Sequence, residues 1–204
     1  MKKIVFTIIA LCLCVCAYSQ NEYSSKFMRF YVPNSDGSPF PMSIDAYAVI
    51  FENGETYIKI HANNPYNAAE FSGYQKYAIL KSNNLYLKLD NGEILTLTCT
   101  LDKSVKDGYV TTKNGVYQKY ADYSYFPIDT ETIEKLKNSD VIKVRGQFKF
   151  EIMDGSMQFT PDAKVNKTND AFIEAMQAIQ SKYKAAKSNS QTQEILKENP
   201  LHGF

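Results

Sequence analysis

One pair of side chains in this sequence reads as nucleophile plus base, Cys99 with His61. A thiol attacks as its thiolate, and the base that activates it must lie within hydrogen-bond reach. Alternation along the chain works against that meeting. In 94–101, Leu95, Leu97, Cys99 and Leu101 share an apolar face while Thr96, Thr98 and Thr100 point the other way. Cys99 is therefore expected to be buried and inert, and His61 falls on an outward row with Tyr57 and Lys59. The other histidine, His202, sits near the end of the chain. No CxxC, HExxH or acid-rich Ca²⁺ loop occurs, and no GxSxG, Walker loop or GxGxxG either. Asp90 and Glu93 in "LDNGE" (89–93) are explained by a hairpin turn. No catalytic residue, metal ligand or cofactor is assigned, and the chain is read as a non-enzyme. A hydrolase whose two carboxylates meet only in the fold stays open as a lesser alternative.

Two rows of side chains are better suited to binding. In "VYQKYADYSYF" (116–126), Tyr117, Tyr123 and Tyr125 lie on one face with the small Ala121 between them. Tyrosine joins an apolar ring to a hydroxyl, which suits glycan or peptide recognition at a wet surface. Sheet propensity explains the same enrichment without a ligand, and the chain has no tryptophan, the usual stacking residue for sugars. The second row is Lys143, Arg145 and Lys149, which would fit acidic glycans or anionic lipid heads. A solvated strand face is its ordinary explanation, since lysines also guard sheet edges against aggregation.

The elements that carry these rows are hairpins. Asn53-Gly54, Asn91-Gly92, Asn114-Gly115 and Asp154-Gly155 each separate two β-rich runs, and such dipeptides tolerate the positive φ of a type I′ turn. Leu85, Leu87 and Leu89 oppose Tyr86 and Lys88. In 141–150, Ile142, Val144, Phe148 and Phe150 oppose Lys143, Arg145, Gln147 and Lys149. A short helix is expected over 130–138, capped by Asp129 and stapled by Ile128 and Ile133, with Ile133 and Leu136 inward. A second, over 168–187, aligns Phe172, Met176, Ile179 and Tyr183 and is expected to lie across the sheet. The fold class is thus mainly β (α+β): an antiparallel, hairpin-built sandwich or partly open barrel with one inserted helix and a C-terminal amphipathic helix.

Lys2 and Lys3 precede the apolar run "IVFTIIALCLCVCA" (4–17), and Ala17 and Ser19 put small residues ahead of Gln20. This is the layout of a cleaved export signal over 1–19, too short for a transmembrane span. Val15 and Leu13 precede Cys16 and Cys14, where lipoprotein processing takes a small residue, so a lipid anchor is disfavoured. Once Cys12, Cys14 and Cys16 leave with the signal, Cys99 has no partner for a disulfide. One domain is expected over 20–187, and the chain of roughly 185 residues left after the signal is long enough to bury about 70% of its unfolded surface. The remainder, 188–204, has few apolar residues and no period, and is expected to be a flexible tail. Without Lys2 and Lys3 the 23 basic residues become 21 against 22 acidic ones, a balance that argues against nucleic acid as a partner.

The stretch "YFPIDTETIEKLKNSDVIKVRGQFKF" (125–150) resembles small exported proteins of unknown function from Bacteroidetes, as does the signal ending "AYSQ". The resemblance implies export and a strand–helix–strand unit, and it brings no activity or site residues with it. The expected function is an exported domain, periplasmic, secreted or attached to the cell surface, that binds a glycan or another protein. The alternative from a different class is a barrel that carries a small apolar ligand.

Overall fold

The computed structural model describes residues 21–33, 39–63, 79–112, 115–152, 155–159, 162–164 and 167–198. The export signal expected over 1–19, with its three cysteines, lies outside the described residues. The strands are β1 (Glu22–Pro33), β2 (Pro39–Phe51), β3 (Thr56–Asn63), β4 (Asn84–Leu89), β5 (Ile94–Thr98), β6 (Leu101–Thr112), β7 (Gly115–Pro127), β8 (Val141–Gly146), β9 (Phe148–Ile152), β10 (Gly155–Phe159) and β11 (Asp162–Lys164). Helix α1 (Thr130–Asn138) joins β7 to β8, and helix α2 (Asn169–Glu198) follows β11.

All four expected hairpins form, as the antiparallel pairs β2–β3, β4–β5, β6–β7 and β9–β10. The turn chemistry differs from type I′ in the two hairpins whose loops are described throughout. Gly54 and Gly92 have φ of +90° and +89°, but among the described non-glycine residues only Ser82 and Lys167 have positive φ. Asn53 and Asn91 instead use their side chains. Asn53 Oδ1 accepts from Glu55 N (3.0 Å) and Asn91 Oδ1 from Glu93 N (2.9 Å). The glycine alone takes the left-handed conformation, as in a type I turn closed by a glycine bulge.

Hairpins assemble into an antiparallel five-stranded sheet, β1-β2-β3-β7-β6, and a four-stranded sheet, β11-β8-β4-β5, with β9–β10 as a separate pair. Only Cys99 and Thr100 separate β5 from β6, so the chain turns a corner from one sheet into the other there. Thr100 N donates to Tyr125 O (3.0 Å) across that corner. Leu101 therefore leaves the Leu95–Leu97–Cys99 face and is exposed. Among the described residues the sheets do not close into a barrel.

One apolar layer fills the space between them. It joins Ile44, Ile58, Ile60 and Phe126 of the five-stranded sheet to Leu85, Leu87, Leu89, Leu97 and Val144 of the other. Helix α2 completes it by lying on β1 and β2 with Phe172, Ala175, Met176 and Ile179 buried. Phe172 meets Phe27 edge-on, ring centres 5.1 Å apart, and Tyr183 meets Tyr23 at 5.9 Å. Burial of each such side chain contributes about 1.5–3 kcal/mol. Helix α1 starts as expected, with Asp129 accepting from Thr132 N (2.8 Å) and Leu136 buried. Asp140 holds the start of α2, accepting from Thr168 N (2.5 Å) and Asn169 N (3.1 Å), while Thr168 Oγ1 accepts from Val141 N (2.7 Å). A negative group at a helix start satisfies unpaired N–H donors and the helix dipole together.

Three further expectations need correction. The second helix does not stop at Lys187 but runs to Glu198, so residues 188–198 are helical. No proline or glycine interrupts them before Pro200, and Gln, Glu, Lys, Ile and Leu sustain the helix. Val141 rather than Ile142 is buried, because a register shift between Lys88 and Leu89 pairs Leu89 with Val141. The strand expected over 141–150 also breaks at Gln147 into β8 and β9, which belong to different sheets.

If α2 seals the apolar layer, Phe172→Ala lowers unfolding free energy by about 3–5 kcal/mol in urea titration. A loss below about 1 kcal/mol, the range of a surface change, would show that the helix is not part of the core.

Candidate functional site

The face of the five-stranded sheet turned away from the apolar layer carries every second residue of its strands. Register brings His61 opposite Tyr123, Lys59 opposite Tyr125 and Tyr47 opposite Lys59, and places Asp45 between His61 and Arg29. A bulge at Phe27 sends Phe27 and Met28 together into the core and returns Arg29 to the outer face. Arg29 then clasps Asp45 through Nε–Oδ1 (2.6 Å) and Nη2–Oδ2 (2.8 Å), the two-pronged geometry of a strong pair.

At the centre Lys59 is hydrogen-bonded to Glu22 Oε1, and Tyr125 donates from its hydroxyl to Glu22 Oε2 (2.8 Å). The Lys59 ammonium also sits 4.9 Å from the Tyr47 ring centre and 5.0 Å from that of Tyr123, while His61 lies 4.8 Å from Tyr123. This face is nevertheless closed to water at its middle: Lys59 is 7% exposed, Asp45 2% and Tyr125 1%. Burial alone would raise the Glu22 carboxyl, but the hydrogen bond and charge of Lys59 and the Tyr125 hydroxyl outweigh it and hold Glu22 below the usual carboxylate range. Asp45 is likewise lowered, burial being outweighed by Arg29 and Lys26. Burial and the neighbouring Glu22 carboxylate push the Tyr125 phenol well up.

The tyrosine row is therefore not an exposed platform. Ala121, Tyr123 and Tyr125 do share a face, but Tyr125 is buried with its hydroxyl committed, and Tyr123 is half-buried between His61 and Lys59. Alternation tells which residues share a face, not whether water reaches it. The side chain of Tyr117 lies outside the described residues. Cys99 and His61 fall on opposite sides of this sheet: Cys99 is in the apolar layer with Sγ donating to Ile79 O (3.2 Å). Glu22 and Asp45, two acids on the outer face, are both engaged by cations as described above. Among the described residues no group of three or more His, Cys, Asp or Glu is placed to hold a metal ion, and no helix is long and apolar enough to cross a membrane.

The basic row has a different setting, the outer face of the four-stranded sheet. Lys143 and Arg145 are exposed on β8; the side chain of Lys149 lies outside the described residues, and its strand belongs to the β9–β10 pair. The expected three-residue row is thus cut short at Gln147. In its place the fold supplies β4. Lys88 is directly opposite Lys143, and Tyr86 is opposite Arg145. With Ile94 of β5, 58% exposed, these residues line an open groove of about 500 Å³. A second hollow of about 580 Å³ adjoins it, lined by Asn83, Asn84, Gln147 and again Tyr86 and Arg145. Asn84 steadies Tyr86, its Nδ2 donating to the phenol oxygen (3.2 Å) and its Oδ1 accepting from Thr98 Oγ1 (3.0 Å). The alternation of 85–89 already turned Tyr86 and Lys88 outward in the sequence. Their meeting with β8 depends on a pairing between distant segments that no local pattern records.

Removing one partner of a buried ion pair strands the other, so Lys59→Met costs about 3–5 kcal/mol, and Glu22→Gln added to it restores most of the loss. Thermal and urea unfolding of the single and double variants reads this directly. Glu22 and Asp45 are both lowered in the folded state, so their contribution is complete above the ordinary carboxylate range, about pH 4, and is lost as pH falls through the folded values. Asp45→Asn is accordingly expected to flatten the acid limb of stability against pH; an unchanged slope contradicts the pairing. No family model, curated protein or solved structure matches this chain.

Proposed function

We propose that this chain is an exported, non-enzymatic recognition domain that holds an acidic glycan against the outer face of its four-stranded sheet. The observation that carries the reading is the direct opposition of Lys88 and Lys143, with Arg145 one step along the same face. The pairing concentrates positive charge on one stretch of an exposed strand face, which an anionic ligand complements. Among the described residues lining this groove three are cationic and none is acidic. Exposed Tyr86 and Ile94 supply flat apolar area beside them, which suits the carbon face of a sugar ring. The hollow is open and of ordinary ligand size.

The apolar layer favours this surface reading over the carrier. Ile44, Ile58, Leu85, Leu87 and Phe126 fill the space between the sheets, where a carrier would hold its ligand. Export is inferred from the pattern of residues 2–19.

Isothermal titration with an acidic polysaccharide tests the proposal. Lys88→Ala combined with Lys143→Ala is expected to weaken binding at least about tenfold, or about 1.4 kcal/mol, with little change in melting temperature. Wild-type affinity should fall as salt rises from about 0.05 to 0.5 M, because the pairing is exposed to screening. Equal binding of a neutral glycan, or no effect of the double substitution, would contradict the assignment.

A further inference from the structure

Two turns of this chain are nearly the same in sequence and in geometry. "FENGE" (51–55) closes the β2–β3 hairpin and "LDNGE" (89–93) closes β4–β5. Phe51 N donates to Glu55 O (2.9 Å) in the first, and Leu89 N to Glu93 O (2.8 Å) in the second. The glycine N–H donates backwards in both, Gly54 N to Phe51 O (2.8 Å) and Gly92 N to Leu89 O (3.0 Å). Asn53 and Asn91 are both exposed, while Asn114 of the third Asn-Gly pair lies outside the described residues. An asparagine before a glycine carries a latent reaction, because no side chain shields the glycine's backbone nitrogen. That nitrogen attacks the asparagine Cγ and gives up its proton. The new C–N bond closes a five-membered imide, and the Nδ2 group leaves as ammonia. Water then opens the imide on either side to leave aspartate or isoaspartate.

The shared geometry acts equally on both turns. Glu55 N and Glu93 N each donate to the neighbouring Oδ1, where negative charge builds during attack, and this favours the reaction. Each glycine N–H must leave its carbonyl partner, and this opposes it. The two turns part at the amide nitrogen. Asn91 Nδ2 donates to Ser139 Oγ (3.2 Å) at the end of α1, and Lys135 of the same helix holds Glu93 (2.6 Å). Among the described residues Asn53 Nδ2 makes no hydrogen bond. We infer that Asn53 is a site of spontaneous deamidation, and that α1 protects Asn91 from the same reaction. To bring its Cγ over the glycine nitrogen, Asn91 must first break the bond to Ser139. Asn53 meets no such barrier.

The position of Asn53 gives the reaction a structural consequence. A Cβ on Gly54 would come within 3.2 Å of the Tyr183 hydroxyl, so this turn lies against the end of the buried stripe of α2. Isoaspartate lengthens the backbone by one carbon there and sets a carboxylate beside Glu52 and Glu55. The change reaches the seat of Tyr183 on Tyr23, on the five-stranded sheet. The inference is independent of what the groove on the other sheet binds.

The folded full chain is held in mildly alkaline buffer and sampled over weeks, with the peptides that carry residues 53 and 91 resolved by mass spectrometry. Asn53 is expected to convert at least about threefold faster than Asn91, the size of effect that one ordinary hydrogen bond supplies. In concentrated urea the two rates are expected to converge, because the local sequences are nearly alike. Ser139→Ala is expected to raise the rate at Asn91 towards that at Asn53. Ser139 is buried, so the melting temperature of this variant is read alongside; if it unfolds, the wild-type rates with and without urea decide the matter. Equal rates in the folded chain, or faster loss at Asn91, overturn the inference. So does a difference that persists in urea, which would come from sequence and not from α1. A folded chain in which Asn53 stays intact while the unfolded chain reacts overturns it as well.

Discussion

The apolar layer between the two sheets is the constraint on which the rest of this structure depends. Leu85, Leu87 and Leu89 can face Ile44, Ile58 and Ile60 only if the residues between them face out, because side chains alternate strictly along a strand. Tyr86 and Lys88 are outward for that reason alone. The same holds on β8, where burial of Val144 turns Lys143 and Arg145 to the other side. A slip of one residue would put lysines in the core, so the composition of the outer groove is fixed by leucine and valine. The packing that stabilises the domain also lays out the surface proposed for recognition.

The opposite surface follows another logic. The outer face of the five-stranded sheet has its own coat of tyrosines, drawn over a buried Lys59–Glu22 contact and an Arg29–Asp45 clasp. Only the carboxylate of the Arg29–Asp45 clasp is buried, whereas both members of the Lys59–Glu22 contact are largely so; such pairs seldom add net stability over well-packed apolar residues, but stranding a buried member is costly. Here they tie β1 to β3 and β1 to β2 across the sheet, with Tyr125 of β7 donating to the same carboxylate. Rings that could have stacked against a ligand are engaged in shielding these charges. The four-stranded sheet keeps its polar residues at the surface, with Tyr86 and Ile94 among the exposed large side chains.

Much of this architecture is legible in the sequence because its causes are local. An Asn-Gly pair between alternating runs, an Asp before a helical turn, and apolar residues at spacings of four and three each act over a few residues, and the hairpins, α1 and the buried stripe of α2 follow from them. Features set by contacts between distant segments were not legible. The bulge that exchanges Ile142 for Val141 answers to the partner strand β4, and the division of β8 from β9 answers to which sheet each joins. Burial of Tyr125 depends on Glu22, more than a hundred positions earlier in the chain. The groove itself is half legible: Lys143 and Arg145 stand out as a row, but Lys88 becomes their neighbour only through the β4–β8 pairing.

The most direct measurement is amide chemical-shift mapping of the labelled protein during titration with an acidic oligosaccharide. Binding in the groove moves the amides of residues 82–88, 94–98 and 143–147 and leaves those of 45–61 and 121–126 unchanged. Shifts concentrated on the five-stranded sheet, or none at saturating ligand, would contradict the assignment of the four-stranded sheet as the binding face.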